Sequence, residues 1–122
     1  KNIMKQFKKN DLLSGMLVQT RNDCVFCVIG STLIADDNGY FSLNNYDNDL
    51  LFNVKNSVHD SSQWDIIRVS KPLNGDLLVI SKWNDTTLMK NLLWEREEYI
   101  EIEGRKYNRN DVIERIKELK PI

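Results

Sequence analysis

The stretch Gly15-Met16-Leu17-Val18-Gln19-Thr20-Arg21-Asn22-Asp23-Cys24-Val25-Phe26-Cys27-Val28-Ile29 decides the fold. Two runs of aliphatic, β-branched and aromatic residues flank Asn22-Asp23, a pair suited to a tight reversal. Residues 16–21 and 24–29 therefore read as a hairpin closed by a two-residue turn. The second run is apolar almost throughout, which marks a buried strand. Cys24 and Cys27 lie three apart within it, and side chains at that spacing on a strand face opposite ways. Neither a disulfide nor a shared metal is expected from the pair, which reads as two buried apolar residues.

Working outward, residues 32–35 and 40–43 read as two further strands around the turn Asp36-Asp37-Asn38-Gly39. Residues 44–63 are rich in Asn, Asp and Ser around Tyr46, Leu50, Leu51, Phe52 and Val54, and read as a long, partly packed surface loop. Residues 64–69 form a fifth strand, stopped by Pro72 and Asn74-Gly75. Leu77, Ile80 and Trp83 fit helical spacing, yet residues 77–80 are also continuously apolar; a short helix over 76–83 is preferred and a strand stays open. A strand is expected over 92–97, and a second hairpin runs through Tyr99-Ile100-Glu101-Ile102, turns at Glu103-Gly104 and returns through Arg105-Lys106-Tyr107. A C-terminal helix follows: Asn110 as cap, Val112, Ile113, Ile116 and Leu119 as apolar face, Asp111 and Arg115 as an i,i+4 pair, and Pro121 as stop.

These elements predict an α+β, mostly β fold: a small curved antiparallel sheet or SH3-like barrel with a C-terminal helix. A chain of 122 residues carries one core, so residues 11–122 are expected to form a single β-rich domain behind a flexible basic N-terminus, residues 1–10. No run approaches the roughly 20 apolar residues of a membrane span, and the start is polar and basic, so no membrane partner and a cytoplasmic location are expected.

Charge nearly cancels, 17 basic against 18 acidic residues, which excludes the global field of a non-specific nucleic-acid binder. It is unevenly placed. Lys1, Lys5, Lys8 and Lys9 crowd the start, whereas Asp23, Asp36, Asp37, Asp47 and Asp49 occupy a stretch without Lys or Arg. Such aspartates either shape turns or form an acidic face that imitates nucleic acid.

The motifs Asp11-Leu12-x-x-Gly15-Met16-x-Val18-x-Thr20-Arg21, Tyr46-x-x-Asp49-Leu50, Trp64-Asp65-Ile66, Leu93-Trp94-Glu95-Arg96-Glu97 and Ile102-Glu103-Gly104-x-x-Tyr107 span most of the chain. In these the sequence resembles small proteins encoded by bacteriophages and prophages of Gram-positive bacteria, a group mostly without assigned function. Fourteen Asn, and eleven Lys against six Arg, suit an AT-rich genome. The resemblance implies context: a phage accessory protein in the cytoplasm of a host bacterium, of the kind that antagonises host antiviral defence.

No catalytic signature accompanies these motifs. His59 is the one histidine and has no signalled partner. Asp47-Asn48-Asp49 and Asp36-Asp37-Asn38 lack the glycine and glutamate of a calcium loop, and no phosphate-cradling glycine motif occurs. No cofactor, no metal and no enzymatic activity are expected. Aromatic and guanidinium groups remain, and the leading expectation is a non-enzymatic binding protein that sequesters a small nucleotide signal. Arg96, Arg105 and Arg109 would hold phosphate and Trp83 or Trp94 would stack a base, at a homo-oligomer interface. The alternatives are an acidic-faced inhibitor of a host protein, through Asp36, Asp37, Asp47 and Asp49, and a nucleic-acid-binding module using the N-terminal lysines.

Overall fold

The computed structural model describes residues 6–53 and 61–119. Six strands form one antiparallel sheet: β1 (Leu17–Thr20), β2 (Val25–Ile29), β3 (Thr32–Ile34), β4 (Tyr40–Ser42), β5 (Ile66–Ser70) and β6 (Leu92–Glu95). Their spatial order is β4-β3-β2-β1-β5-β6. Helix α1 (Asp85–Lys90) precedes β6, and a separate hairpin of β7 (Tyr99–Ile102) and β8 (Arg105–Asn108) leads into helix α2 (Arg109–Glu118). The fold is thus α+β and mostly β, with the expected antiparallel sheet in open form. Among the described residues β4 and β6 are edges that do not pair, so no barrel closes.

The central hairpin has the expected strands but a longer turn. Leu17 faces Cys27, Val18 faces Phe26, Gln19 faces Val25, and the Thr20 N–H donates to the Cys24 carbonyl at 2.9 Å. Arg21, Asn22 and Asp23 are left as a three-residue loop, with Asp23 in the left-handed region at φ 69°. A left-handed third residue lets such a loop follow the strands' twist, and an aspartate tolerates it. The β3–β4 turn repeats the device with Asp36, Asp37 and Asn38, the last at φ 70°.

Alternation on the strands sorts the apolar side chains into two clusters. Val18, Phe26, Val28, Leu33, Val69 and Trp94 face one side and meet Phe7, Met16, Leu43, Tyr46, Leu50 and Ile66. Leu17 and Cys27 face the other, where Leu73, Trp83 and Leu88 cover them. Cys24 packs on the first cluster and Cys27 lies in the second, so the thiols face apart as their spacing requires. Both are free, and burial pushes the Cys27 thiol pKa up.

Several expectations need correction. The basic start is not loose as far as residue 10. Phe7 is buried with its ring 5.9 Å from that of Trp94, and the Lys9 N–H donates to the Asn48 carbonyl at 2.9 Å. A buried aromatic side chain and the bonds of Lys8 and Lys9 together tie this segment down. The described part of the stretch after β4, residues 43–53, is partly packed as expected, and its packed side chains cover the first cluster: Tyr46 and Leu50 are fully buried, and Tyr46 bridges to Phe52. Residues 76–83 are neither α-helix nor strand but two 3₁₀ turns, Gly75–Leu77 and Ile80–Lys82. The helix lies just beyond, capped by Asn84, whose side chain accepts from the Thr87 N–H at 3.0 Å. Helix α2 is capped by Asn108 rather than Asn110, through Asn108 Oδ1 and the Asp111 N–H at 3.3 Å. Its ion pairs are Arg115 with Glu118 and Lys117 with Glu114, not Asp111 with Arg115. His59, Val54 and Pro121 lie outside the described residues.

Gly15 permits the second cover. It sits at φ 94°, and a Cβ there would lie 3.0 Å from the Leu73 carbonyl oxygen. Its own carbonyl accepts from the Leu73 N–H at 2.8 Å, drawing Leu73 onto Leu17 and Cys27.

Phe7→Ala is expected to cost about 3 to 5 kcal/mol in urea unfolding, as for any large buried aromatic; an unchanged midpoint would place Phe7 outside the core. The Tyr46 hydroxyl donates to the Trp64 carbonyl at 2.8 Å, and burial, reinforced by Asp65 and Cys24, pushes its pKa far above the ordinary tyrosine range. Unfolded Tyr46 gives up its proton near pH ~10 while the folded residue keeps it. That contribution is therefore full below about pH 10 and declines above it, by up to about 1.4 kcal/mol per pH unit. Tyr46→Phe is expected to flatten this alkaline decline in denaturant titrations above about pH 10.

Candidate functional site

The polar side chains nearest the sheet are tied to one another. Arg68 stands opposite both Gln19 and Glu95; its Nη1 donates to Gln19 Oε1 at 2.8 Å and its Nε to Glu95 Oε2 at 2.5 Å. Arg21 joins Asp65 at 2.8 Å and Glu98 at 2.9 Å, and also donates to the Ser62 carbonyl. Burial alone would lower the Arg21 pKa, but hydrogen bonds and charge from Glu98 and Asp65 outweigh it and leave it raised. Asp65 is buried, and its second oxygen accepts from the Phe52 N–H at 2.7 Å. The pair joins the β1–β2 turn to the chain entering β5.

Arg96 is a strut. Its Nε and Nη2 donate to the Ile66 carbonyl at 3.1 and 3.0 Å, and Nη2 also reaches the Asp49 carbonyl at 2.6 Å. Its guanidinium lies 5.1 Å above the Trp94 ring. Burial lowers its pKa, with Asp65 and Glu98 opposing. Trp94 is 5% exposed in the first cluster, and Trp83 is 8% exposed in the second. The two indoles therefore lie on opposite faces of the sheet. Arg105 is exposed on β8. Arg109 begins α2 and lines a cleft of about 360 Å³ with Arg21, Arg68 and Lys117, but also with Asp23, Asp85 and Glu114. Of the five residues expected to hold a nucleotide the structure brings together Arg96 and Trp94, while Trp83, Arg105 and Arg109 lie elsewhere, and the cleft that Arg109 lines carries both signs of charge.

Several described residues of the acidic and basic stretches are also occupied. Asp47 Oδ1 accepts from the Asp49 and Leu51 N–H groups, and Asp37 Oδ1 from the Gly39 N–H, so these aspartates shape turns. Asp49 is ion-paired with Lys8, which holds its carboxyl below the usual range. Lys9 points inward, its Nζ 2.8 Å from the Tyr46 carbonyl. Asp36 remains exposed. Among the described residues no three His, Cys, Asp or Glu side chains are grouped to hold a metal ion, and no helix is long and apolar enough to cross a membrane.

Among the exposed apolar side chains of the described residues, two groups stand together. Leu77, Leu78, Val79 and Ile80 are 39 to 54% exposed, four consecutive apolar side chains between two 3₁₀ turns. Leu77 borders a groove of about 560 Å³ lined also by Lys82, Asn84, Thr86, Thr87, Lys90 and Asn91, without a carboxylate. The Trp83 indole N–H, three residues beyond this ridge, is the one buried side-chain polar atom without a partner among the described residues. The second surface is a groove of about 790 Å³ along α2 and the β7–β8 hairpin. The apolar run at 77–80 is visible in the sequence; what identifies it as surface is that it forms neither helix nor strand.

No family model, curated protein or solved structure matches the chain. The geometry itself defines a mostly β protein whose central charges are spent on its own structure and which leaves apolar side chains exposed at residues 77–80 and along α2.

Arg96→Ala is expected to cost about 2 kcal/mol of stability, as the loss of charge-assisted hydrogen bonds does. Arg105→Ala, on an exposed position, is expected to stay within about 0.5 kcal/mol. Denaturant titration of both variants separates a strut from a surface charge.

Proposed function

We propose that this chain is a non-enzymatic binding protein that docks on another protein through the apolar ridge at residues 77–80. The observation that carries the reading is the ridge itself: four consecutive apolar side chains left in water are unfavourable unless a partner covers them. Lys82 and Lys90 are the charged groups lining the adjoining groove, whose lining holds no carboxylate, so the fitting partner offers an apolar pocket with acidic groups on that side. With the phage and prophage resemblance, the partner is a cytoplasmic host protein and the role is antagonism of host defence.

The nucleotide-sequestering alternative retains one supporting observation: the Arg109 guanidinium has no ion pair among the described residues and borders the mixed-charge cleft. Native mass spectrometry with added nucleotides tests it, since a bound mass lost in Arg109→Ala would favour that reading.

For the protein-docking reading, Leu78→Asp/Ile80→Asp is expected to leave the circular dichroism spectrum unchanged. Binding to the partner recovered from host lysate by the wild-type chain should weaken at least about tenfold in biolayer interferometry, the loss of about 1.4 kcal/mol. Equal affinity of the two chains for that partner would reject the ridge as the docking surface.

A further inference from the structure

The segment from β7 to the end of α2 contributes no residue to either buried cluster. A two-stranded hairpin and a ten-residue helix are each marginal in water without a packed face. Val112 and Ile113 are half-buried, but Ile116 and Leu119, on the same apolar face, are 59% and 73% exposed. With Ile102, at 47%, and Tyr107 they form an apolar floor and wall of the 790 Å³ groove.

We propose that this groove is a homodimer interface in which α2 of one copy packs antiparallel on α2 of a second. The charges on its rim choose the occupant. Asp111, Arg115 and Glu118 line it, negative, positive and negative at intervals of about one helical turn. A partner of one dominant sign gains little from such a rim. A second copy running antiparallel and offset by a turn sets each Arg115 against a carboxylate of the other, a self-complementary arrangement of the kind two-fold dimers use. Arg115 has only a loose contact at home, 3.9 Å to Glu118, with both groups largely in water. The apolar floor supplies the burial that the hairpin and helix lack. This surface is separate from the ridge at 77–80, so the dimer stands or falls independently of the partner-docking reading.

Light scattering coupled to size exclusion, on the full chain at up to about 100 µM, reads the result directly. The expected mass is twice the 14.3 kDa of one chain. Ile116→Glu/Leu119→Glu is expected to be monomeric with an unchanged circular dichroism spectrum, because both positions are exposed in the single chain. Arg115→Glu is expected to weaken the dimer at least about tenfold, and Asp111→Arg/Glu118→Arg likewise. Mixing these two charge variants should restore a heterodimer. A monomeric wild-type chain overturns the proposal, and so does a dimer that survives Ile116→Glu/Leu119→Glu unchanged.

Discussion

Every residue of β1 is buried, and a strand with no face in water must be covered on both sides. That requirement organises the molecule. On one side Val18 lies between Phe26 and Val69, with Trp94 one strand further, and Phe7, Tyr46 and Leu50 close over them. On the other, Leu17 and Cys27 are closed by Leu73, Trp83 and Leu88. Apart from Phe7 and Met16, both covers come from segments distant in the chain from β1. The polar ends of the strand are satisfied at the same time. Ser70 Oγ accepts from the Leu17 N–H at 2.8 Å beside the bulge in β5, and Gln19 receives Arg68.

The charges nearest the sheet work inward. Asp65 ties Arg21 to the Phe52 backbone, Arg96 clasps two carbonyls over Trp94, and Lys8 and Lys9 pin the N-terminal segment to the turn at Asp47 and Asp49. Groups committed to buried or half-buried pairs are costly to redirect toward a ligand. Arg96 with Trp94 beneath it is thus part of the structure's own bracing, and Trp83 lies on the other face of the sheet. The ridge at 77–80 and the groove along α2 lie outside the two cores, and neither has internal cover.

Much of the sheet was legible because its signals are local. The runs at 24–29 and 92–97, the latter ending as strand at Glu95, the turns at Asn38-Gly39 and Glu103-Gly104, and the alternation across Tyr99 to Ile102 are set by neighbours in the chain. The site was far less legible. Arg96, Trp83 and Trp94 carry the same chemistry whether they bind a ligand or brace a core, and only burial tells the roles apart. Helix α1 was missed since its six residues present too short a periodic pattern, although Asn84-Asp85-Thr86-Thr87 is a recognisable helix start.

The sequence by itself determined the mostly β composition, the order of the strands along the chain, the two hairpins, the terminal helix and the opposed cysteines. Each follows from dihedral preference and side-chain period, which act over a few residues. Only the tertiary structure decided that Phe7 and Tyr46 are core, that the sheet stays open, and that Leu77 to Ile80 stand in water. Those outcomes depend on which distant segment covers an apolar face in the folded chain. An apolar residue states in the sequence that it must be covered, while the identity of the cover depends on the whole chain.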